Sequence, residues 1–432
     1  MNRKPAAASA PAPSLFVRVS APGTGGIASY VLDGWGLASR LQSLLQTKRE
    51  LRSCDSGDLM FGRIIERDGR VIDEVVVSFL ESNDTATGFE QIELSCHGGQ
   101  GASLAVEDAL LKAGFDRGSG ADLLGRAHLN NKLTLIAVEA QLLMARVATA
   151  RQAEFLLGAP AFHKRWERWG FDAAMALRTR DASWREKTLF AAREAVDAAQ
   201  GALALLAWHD VVLAGPVNAG KSTLANALAR ADKHIVSDVP GTTRDRLDTR
   251  VTVRGLNLTL TDTAGLRDAG GEIEREGQRR ARAALETAAL RVIVLDGSQS
   301  PTEADFELIA HCKALGPSIL VLNKDDLGID ESAEGLGFLA GVEPVILSAK
   351  SGADNAGTEP GLERLETAIE NALLLGCSPQ PGDPFTLRQI SVLNEIRSCL
   401  ENGWEDTMTI RLISKLVGTR SQPDQLTIAL QA

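Results

Sequence analysis

The stretch that decides the fold is DVVLAGPVNAGKSTLANALA, residues 210–229. It opens with a short apolar run of the kind that forms a buried parallel strand. The segment Gly215–Ser222 then matches the pattern G-x-x-x-x-G-K-[ST], and a helix-forming run follows it. Glycines let backbone N–H groups surround phosphates, and the helix N-terminus adds a favourable dipole. The stretch therefore predicts a strand, a phosphate-binding loop and a helix; a glycine-rich turn that matches by chance is the alternative.

The predicted loop assigns roles to individual residues. Lys221 is expected to contact the β- and γ-phosphates, and the Ser222 hydroxyl is expected to bind Mg²⁺. The neighbouring residues expected to contact the nucleotide are Asn218, Ala219, Gly220 and Thr223.

Further apolar runs follow this loop along the chain. They lie at Leu256–Thr261, Arg291–Leu295, Ile319–Leu322 and Val345–Leu347, with helix-like segments between most of them. Such alternation predicts a parallel sheet covered by helices on both faces. The predicted fold class is α/β, with a P-loop nucleotide domain.

Three more motifs stand at the ends of these predicted strands. Asp262-Thr263-Ala264-Gly265 offers a carboxylate for Mg²⁺ and a glycine N–H for the γ-phosphate, although alone it could be an ordinary loop. Asn323-Lys324-Asp325-Asp326 matches the Asn-Lys-x-Asp guanine motif, and Ser348-Ala349-Lys350 fits the loop behind the base. Asp326 can accept two hydrogen bonds from guanine, whereas adenine lacks the exocyclic amine. In this order, the motifs predict a GTP and GDP site.

The loop Gly241–Asp245 lies between the phosphate-binding loop Gly215–Ser222 and the motif Asp262–Gly265. A threonine there can complete the Mg²⁺ shell when the loop closes on the γ-phosphate, and Thr243 is the expected ligand. A polar surface loop is the alternative interpretation.

The group that activates water is left open by the residues themselves. Ras-like proteins have a Gln directly after the Asp-Thr-Ala-Gly motif, but here that position is Leu266. The nearby carboxylates are Asp268, Glu272, Glu274 and Glu276. A monovalent cation could supply the missing positive charge, and the Asn218 side-chain oxygen could bind it.

Composition restricts the setting. The net charge of −10 argues against coating nucleic acid through bulk electrostatics. The five cysteines form no CxxC pair, which suits a reducing cytoplasm. No apolar run reaches the about 18 residues of a membrane span. We expect a cytoplasmic protein that does not enter a membrane.

The rest of the chain predicts additional domains around the nucleotide domain. Strand and helix signals mix in the first part, only helical periodicity follows, and helical periodicity returns after the Pro-rich stretch SPQPGDPF. The predicted segments are a disordered tail at 1–13, a small α/β domain at 14–118, a helical part at 119–208, the nucleotide domain at 209–376 and a second helical part at 377–432.

Together these motifs resemble the MnmE family of tRNA-modification GTPases. The similarity is carried by GPVNAGKST, DVPGTTRD, DTAGLRDAGGEIERE, LNKDD and SAK, and outside the nucleotide domain by PGTGG, IELSCHGG and RAHLNNKLTL. The resemblance covers nearly the whole chain. It implies an N-terminal dimerisation domain and a Ras-like domain inserted into a discontinuous helical domain.

The resemblance also implies a mechanism. In this family GTPase domains pair across a homodimer and K⁺ replaces an arginine finger. Asn218 would bind K⁺ together with backbone groups near Ser237, Val239 and Thr242, and Glu274 would position the attacking water. The family works on the tRNA wobble uridine with an FAD-dependent partner protein, so contact with tRNA is expected through the complex.

Two departures from the family pattern point to a divergent member. The sequence Leu426–Ala432 does not match the family's terminal Cys motif. In the formyl-tetrahydrofolate site, Val31 and Phe89 stand where the family has Arg and Glu, which leaves Lys132 as the matching residue. Two functions therefore remain open: a K⁺-stimulated GTPase of tRNA modification, or a regulatory GTPase switch that has lost the modification and folate functions.

Overall fold

The computed structural model describes residues 13–66, 68–179, 183–231, 248–262, 272–336, 343–354 and 360–418. These residues divide into two compact units. The first takes the chain up to Leu142 together with Gly418, and the second takes Leu143–Val417. The expected tail at 1–13 lies outside the described residues except for Pro13, and the expected terminal difference at Leu426–Ala432 lies wholly outside them.

The first unit is built on a seven-stranded sheet. Its strands are β1 Leu15–Arg18, β2 Ile27–Gly34, β3 Leu45–Thr47, β4 Leu59–Ile65, β5 Val71–Leu80, β6 Glu90–His97 and β7 Asp116–Arg117. The spatial order is β3-β4-β5-β6-β2-β1-β7, and only β1 and β7 pair in parallel. Its helices are α1 Leu37–Gln42, α2 Gln100–Lys112, α3 Gly120–Leu129 and most of α4 Leu135–Met144.

Alternation along the strands builds the core of this unit. Val75, Val77 and Phe79 of β5 share one face of the strand and are buried in the core. In α2, Val106 and Leu110 stand one turn apart and are fully buried in the same cluster. The core therefore lies between one face of the sheet and α2.

A buried ion pair joins α3 to the sheet of the first unit. Arg126 Nη1 lies 2.6 Å from Asp33 Oδ1, and the two side chains are 9% and 0% exposed. Thr87 and Gln91 also donate hydrogen bonds to the Asp33 carboxylate. Because its oxygens have several donors, this buried carboxylate is compensated for the loss of water.

The second unit contains the nucleotide-domain sheet. Its strands are β8 Trp208–Ala214, β9 Asp248–Val253, β10 Leu256–Asp262, β11 Leu290–Asp296, β12 Ser318–Asn323 and β13 Val345–Ile346, in the order β13-β12-β11-β8-β10-β9. All neighbours pair in parallel except β9 and β10. The antiparallel edge strand β9 departs from the entirely parallel sheet that the sequence predicts.

Helices flank this sheet. They are α8 Lys221–Ala231, α9 Glu272–Thr287, α10 Glu303–Leu315, α11 Glu331–Glu334, α12 Ala349–Asp354 and α13 Pro360–Leu373. On α13, Leu365 and Ile369 stand one turn apart and are fully buried, which gives that helix an apolar face toward the interior.

Helices on both sides of the nucleotide domain in sequence pack together. α5 Ala150–Leu157, α6 Ala159–Thr179 and α7 Ser183–Leu206 precede the sheet, whereas α14 Leu387–Glu401 and α15 Asp406–Val417 follow it. α14 packs on α7, and α15 packs on α6 and α14. The predicted fold class, a Ras-like domain inserted into a helical one and preceded by an α/β domain, is confirmed.

Small residues allow these helices to approach closely. Ala192, Ala195 and Ala199 form a buried stripe on α7, and a Cβ added to Gly170 of α6 would lie 3.1 Å from Ile413 of α15. Among the described residues, no helix is long and apolar enough to cross a membrane.

Candidate nucleotide-binding site

The phosphate-binding loop connects β8 to α8 as the sequence predicts. A Cβ added to Gly215 would lie 2.1 Å from the carbonyl oxygen of Val294, and one added to Gly220 would lie 2.1 Å from Asn323 Nδ2. Gly220 also has φ +93°, a conformation that favours glycine. Both glycines are therefore required by the close approach of neighbouring strands.

Asn218 lies at the exposed part of the loop. Its φ is +67°, in the left-handed region that asparagine tolerates better than most residues. Ala219 beside it is buried, with 1% of its surface exposed. The loop thus buries its C-terminal part and leaves the Asn218 side chain accessible.

The Lys221 ammonium lies inside the loop. Lys221 is 3% exposed, and its Nζ donates to the carbonyl oxygens of Gly215 at 3.0 Å and Pro216 at 2.7 Å. These bonds hold the positive charge against the loop backbone, where it can attract phosphate oxygens. Thr223 follows within the first turn of α8.

Ser222 and Asp262 meet although they are 40 residues apart. The Ser222 hydroxyl donates to Asp262 Oδ2 at 2.5 Å. Asp262 ends β10 directly beside Leu213 of β8, so the parallel register brings the two residues together. Hydroxyl and carboxylate oxygens are ligands that Mg²⁺ prefers. Within the described ranges no group of three or more His, Cys, Asp or Glu side chains gathers, and Mg²⁺ in such sites takes few protein ligands besides phosphates and water.

Asn323 connects the phosphate loop to the base-binding loop. This side chain is 2% exposed. Its Nδ2 donates to the carbonyl oxygen of Ala219 at 2.8 Å, and its Oδ1 accepts from the Ala349 N–H at 2.9 Å. One amide therefore satisfies groups from two of the predicted motifs.

Asp326 and Ser348 lie together at the same edge of the sheet. The Ser348 hydroxyl donates to Asp326 Oδ1 at 2.7 Å. This bond leaves Asp326 Oδ2 for a further donor, which suits recognition of the guanine N–H groups. Lys350 lies next along the chain, in the first turn of α12.

An ion pair at this edge was missed by the sequence analysis. Lys324, with φ +69°, places its Nζ 2.6 Å from Asp296 Oδ2 at the end of β11. Burial raises the pKa of Asp296, but the bonds from Lys324 and Ser298 outweigh it and hold that pKa below its ordinary value. The available signal was an aspartate that ends an apolar run directly before Gly297.

Several expected site residues lie outside the part of the chain that the structure describes. They are Ser237, Val239, Thr242, Thr243, Thr263, Ala264, Gly265 and Leu266. Glu274 belongs to α9 by its backbone, and its side chain is also outside the description. The roles expected for these residues stay predictions.

The two positions at which the sequence departs from the family's folate site, Val31 and Phe89, belong to the first unit. Phe89 is 9% exposed, with the Arg126 guanidinium 5.3 Å from its ring centroid and the Trp35 ring 5.4 Å away at 64°. A Cβ on the adjoining Gly88 would lie 3.4 Å from Lys132 Cε. The Phe89 ring thus packs against an aromatic ring and a cation, near Lys132.

Comparisons with known proteins match two parts of the chain to described families and most of the chain to named relatives. A family described as 50S ribosome-binding GTPase matches residues 210–324, and one described as GTP-binding protein TrmE N-terminus matches residues 15–132. The relative named tRNA modification GTPase MnmE from Parasynechococcus marenigrum is 32% identical over 333 residues, covering 71% of this chain and 72% of the relative.

Two further proteins are similar over different lengths. The MnmE of Pseudothermotoga lettingae is 30% identical over 416 residues, covering 91% of this chain and 90% of the relative. The solved G domain of the T. maritima FeoB iron transporter is 27% identical, covers 38% of this chain and 99% of that chain, and has a TM-score of 0.27.

The position of Asn323 gives a testable prediction. Asn323→Ala removes the bonds to Ala219 and Ala349 and leaves two buried backbone groups without this partner, so the Kd for GTP should rise about 10- to 100-fold. The measurement is calorimetric titration with GTP and Mg²⁺. Asn402→Ala is the matched control, because the Asn402 side chain donates to Ser398 at the end of its own helix. An unchanged Kd for Asn323→Ala would contradict the connecting role.

Proposed function

This chain belongs to the MnmE family of tRNA modification GTPases, and from that premise we propose that it hydrolyses GTP in the modification of the tRNA wobble uridine. The chain is a GTP hydrolase. Support for the tRNA function comes from relatives named for it, which match most of the chain. The match of residues 15–132 to the TrmE N-terminal family supports it outside the nucleotide domain.

The observation that supports guanine as the base is the position of Asp326. Asp326 lies in the turn that follows β12, and the Ser348 hydroxyl donates to one of its carboxylate oxygens at 2.7 Å. A base stacked there would remove the carboxylate from water, so the ring must return hydrogen bonds. Guanine does so with two N–H groups, and adenine lacks the exocyclic amine that supplies one of them.

The proposed hydrolysis step differs from that of Ras-like proteins in the group that positions the attacking water. Leu266 stands where Ras-like proteins have a glutamine, so another group has to position the water. On the resemblance to the family, we assign that role to Glu274. Asn218 is the side-chain ligand for K⁺, with backbone groups near Ser237, Val239 and Thr242. The accessible position of Asn218 on the loop supports this assignment, since a cation there would lie beside the transferred phosphate.

The assembly proposed here is a homodimer that works in the cytoplasm with an FAD-dependent partner protein. The predicted segments at 14–118, 119–208, 209–376 and 377–432 would be the dimerisation domain, the first helical part, the GTPase domain and the second helical part. The chain carries a net charge of −10, so tRNA would be held chiefly by a basic partner.

A second function is favoured by the residues around Phe89. A ring packed between Trp35 and Arg126 offers no acceptor to a polar ligand, unlike the Glu of the family pattern. Formyl-tetrahydrofolate would then have Lys132 as its remaining matched residue. The alternative is a regulatory GTPase switch that has lost modification and folate binding.

The catalytic assignment predicts a strong dependence on Glu274 and on K⁺. Glu274→Ala removes the group that positions water, so kcat should fall about 100-fold or more while the Kd for GTP changes little. Wild-type hydrolysis should be at least about tenfold faster in KCl than in NaCl at equal ionic strength. The readout is phosphate release, and Glu286→Ala on the same helix is the control. Equal rates in the two salts would remove the cation mechanism.

The two candidate functions differ in what tRNA shows when the protein is lost. If the proposal is correct, deletion of the gene should remove the modified wobble uridines, and the wild-type gene should restore them. Chromatography and mass spectrometry of tRNA nucleosides measure this directly. Unchanged wobble uridines would reject the tRNA function and favour the regulatory switch.

A further inference from the structure

The first turn of α5 and the residue before it, Thr149–Gln152, form a contact point that we call the α5 joint. It touches three parts of the second unit: the end of α7, the turn between β9 and β10, and α13. Sequence motifs do not single out this turn. Its partners Leu205 and Glu370 lie near the two ends, in sequence, of the predicted nucleotide domain at 209–376.

Charged groups form the outer part of the α5 joint. Arg151 Nη1 donates to Glu370 Oε1 of α13 at 2.6 Å and to the carbonyl oxygen of Arg254 at 2.7 Å. Arg254 pairs with the other oxygen of the same carboxylate. Burial raises the pKa of Glu370, but the bonds from Arg254 and Arg151 outweigh it and lower that pKa. Glu370 therefore stays charged and holds both arginines.

Backbone contacts form the middle of the α5 joint. The Thr149 hydroxyl donates to the carbonyl oxygen of Gly255 at 2.9 Å. Gly255 has φ +84°, and a Cβ there would lie 2.8 Å from Arg151 Cβ. The glycine at position 255 therefore allows the turn between β9 and β10 to pack directly against α5.

Gln152 forms the buried part of the α5 joint and is 0% exposed. Its Oε1 accepts from the Ala148 N–H at 3.0 Å and from Asn257 Nδ2 at 3.2 Å. Its Nε2 donates to the carbonyl oxygen of Leu205 at 2.8 Å, in the last turn of α7. A single amide thus connects α5 to the segments that begin β8 and β10.

One buried atom at this place lacks a hydrogen bond. Asn257 is 1% exposed, and its Oδ1 has no partner within the described residues. Rotating the amide would turn its oxygen toward the Gln152 oxygen, so the present orientation is the better one. An unpaired buried acceptor is unfavourable, because it has lost its hydrogen bonds to water.

The joint contacts the chain near the start of β8 and of β10, and the phosphate site lies at the carboxyl ends of these two strands. β10 begins one residue before Asn257 and ends at Asp262, which binds Ser222. β8 begins soon after Leu205 and leads into the phosphate-binding loop. The strands pair continuously from Asn257 beside Trp208 to Asp262 beside Leu213. A shift at the Asp262 end would be carried along this ladder to the joint.

We propose that the α5 joint couples GTP binding to the packing of the helical region, with Arg151 as a positioning residue outside the nucleotide site. Coupling is reciprocal: if GTP changes the stability of the joint, breaking the joint must change the affinity for GTP. The proposal rests on GTP binding at the phosphate loop and is independent of K⁺, dimerisation and tRNA modification.

Hydrogen exchange of the full-length wild-type protein tests the coupling. Exchange is compared without nucleotide and with a non-hydrolysable GTP analogue plus Mg²⁺. Peptides covering 149–157 should change their exchange rate at least about threefold, together with protection of the phosphate loop at 215–224. A protected phosphate loop with unchanged exchange at 149–157 would overturn the coupling. An unprotected phosphate loop would reject GTP binding itself, and the coupling with it.

A variant adds the reciprocal measurement. Arg151→Gln should alter the ratio of the Kd values for the GTP analogue and GDP at least about threefold and abolish the exchange response at 149–157. Arg151→Lys keeps the charge and should restore part of both. Arg193→Gln is the matched control, since Arg193 pairs with Glu401 at 2.7 Å between α7 and α14, away from the joint. An unchanged ratio in Arg151→Gln would contradict the proposal, and if that variant fails to fold, the wild-type exchange decides the question.

Discussion

The nucleotide site depends on the side-chain amide of Asn323. It is the group that binds both the phosphate loop, through Ala219, and the base loop, through Ala349. Its Nδ2 lies so close to the position of a Cβ on Gly220 that this residue must be glycine. The distance between the triphosphate and base subsites is thereby set by one buried residue with its hydrogen bonds on both sides satisfied.

Parallel strand order explains why motifs far apart in sequence meet. The carboxyl ends of β8, β10, β11 and β12 lie at one edge of the sheet, and each carries a functional group there. The antiparallel strand β9 contributes differently. Its tight turn to β10, at Arg254 and Gly255, projects to the opposite end of the strands, where α5 contacts it. The functional groups therefore lie at one end of the strands, and the helix α5 contacts the sheet at the other end.

The sequence was sufficient for the features that repeat locally. The residues of the phosphate loop lie between a strand and a helix, as the sequence predicts. The guanine motif could be placed because its strand is a continuous apolar run. Such signals depend on neighbours in the chain, so a single sequence contains them.

Long-range pairs could not be found in the same way. β9 begins with the polar residues Asp248-Thr249-Arg250 and becomes a strand only by pairing with β10, so its pattern is weak. The pair Asp296 and Lys324 and the pair Arg151 and Glu370 join residues from different elements, and a lone charge usually indicates a solvated surface. Their roles follow from tertiary packing rather than from spacing.

The central claim is that one pocket holds a triphosphate and selects guanine through Asp326. Competition titration of the purified protein with GTP and ATP in Mg²⁺ tests it most directly, with Asp326→Asn beside wild type and Asp325→Asn as the neighbouring control. The account predicts that wild type and Asp325→Asn prefer GTP by at least about 1000-fold and that Asp326→Asn loses most of this preference. Equal affinity of the wild type for ATP and GTP, or full selectivity in Asp326→Asn, would contradict it.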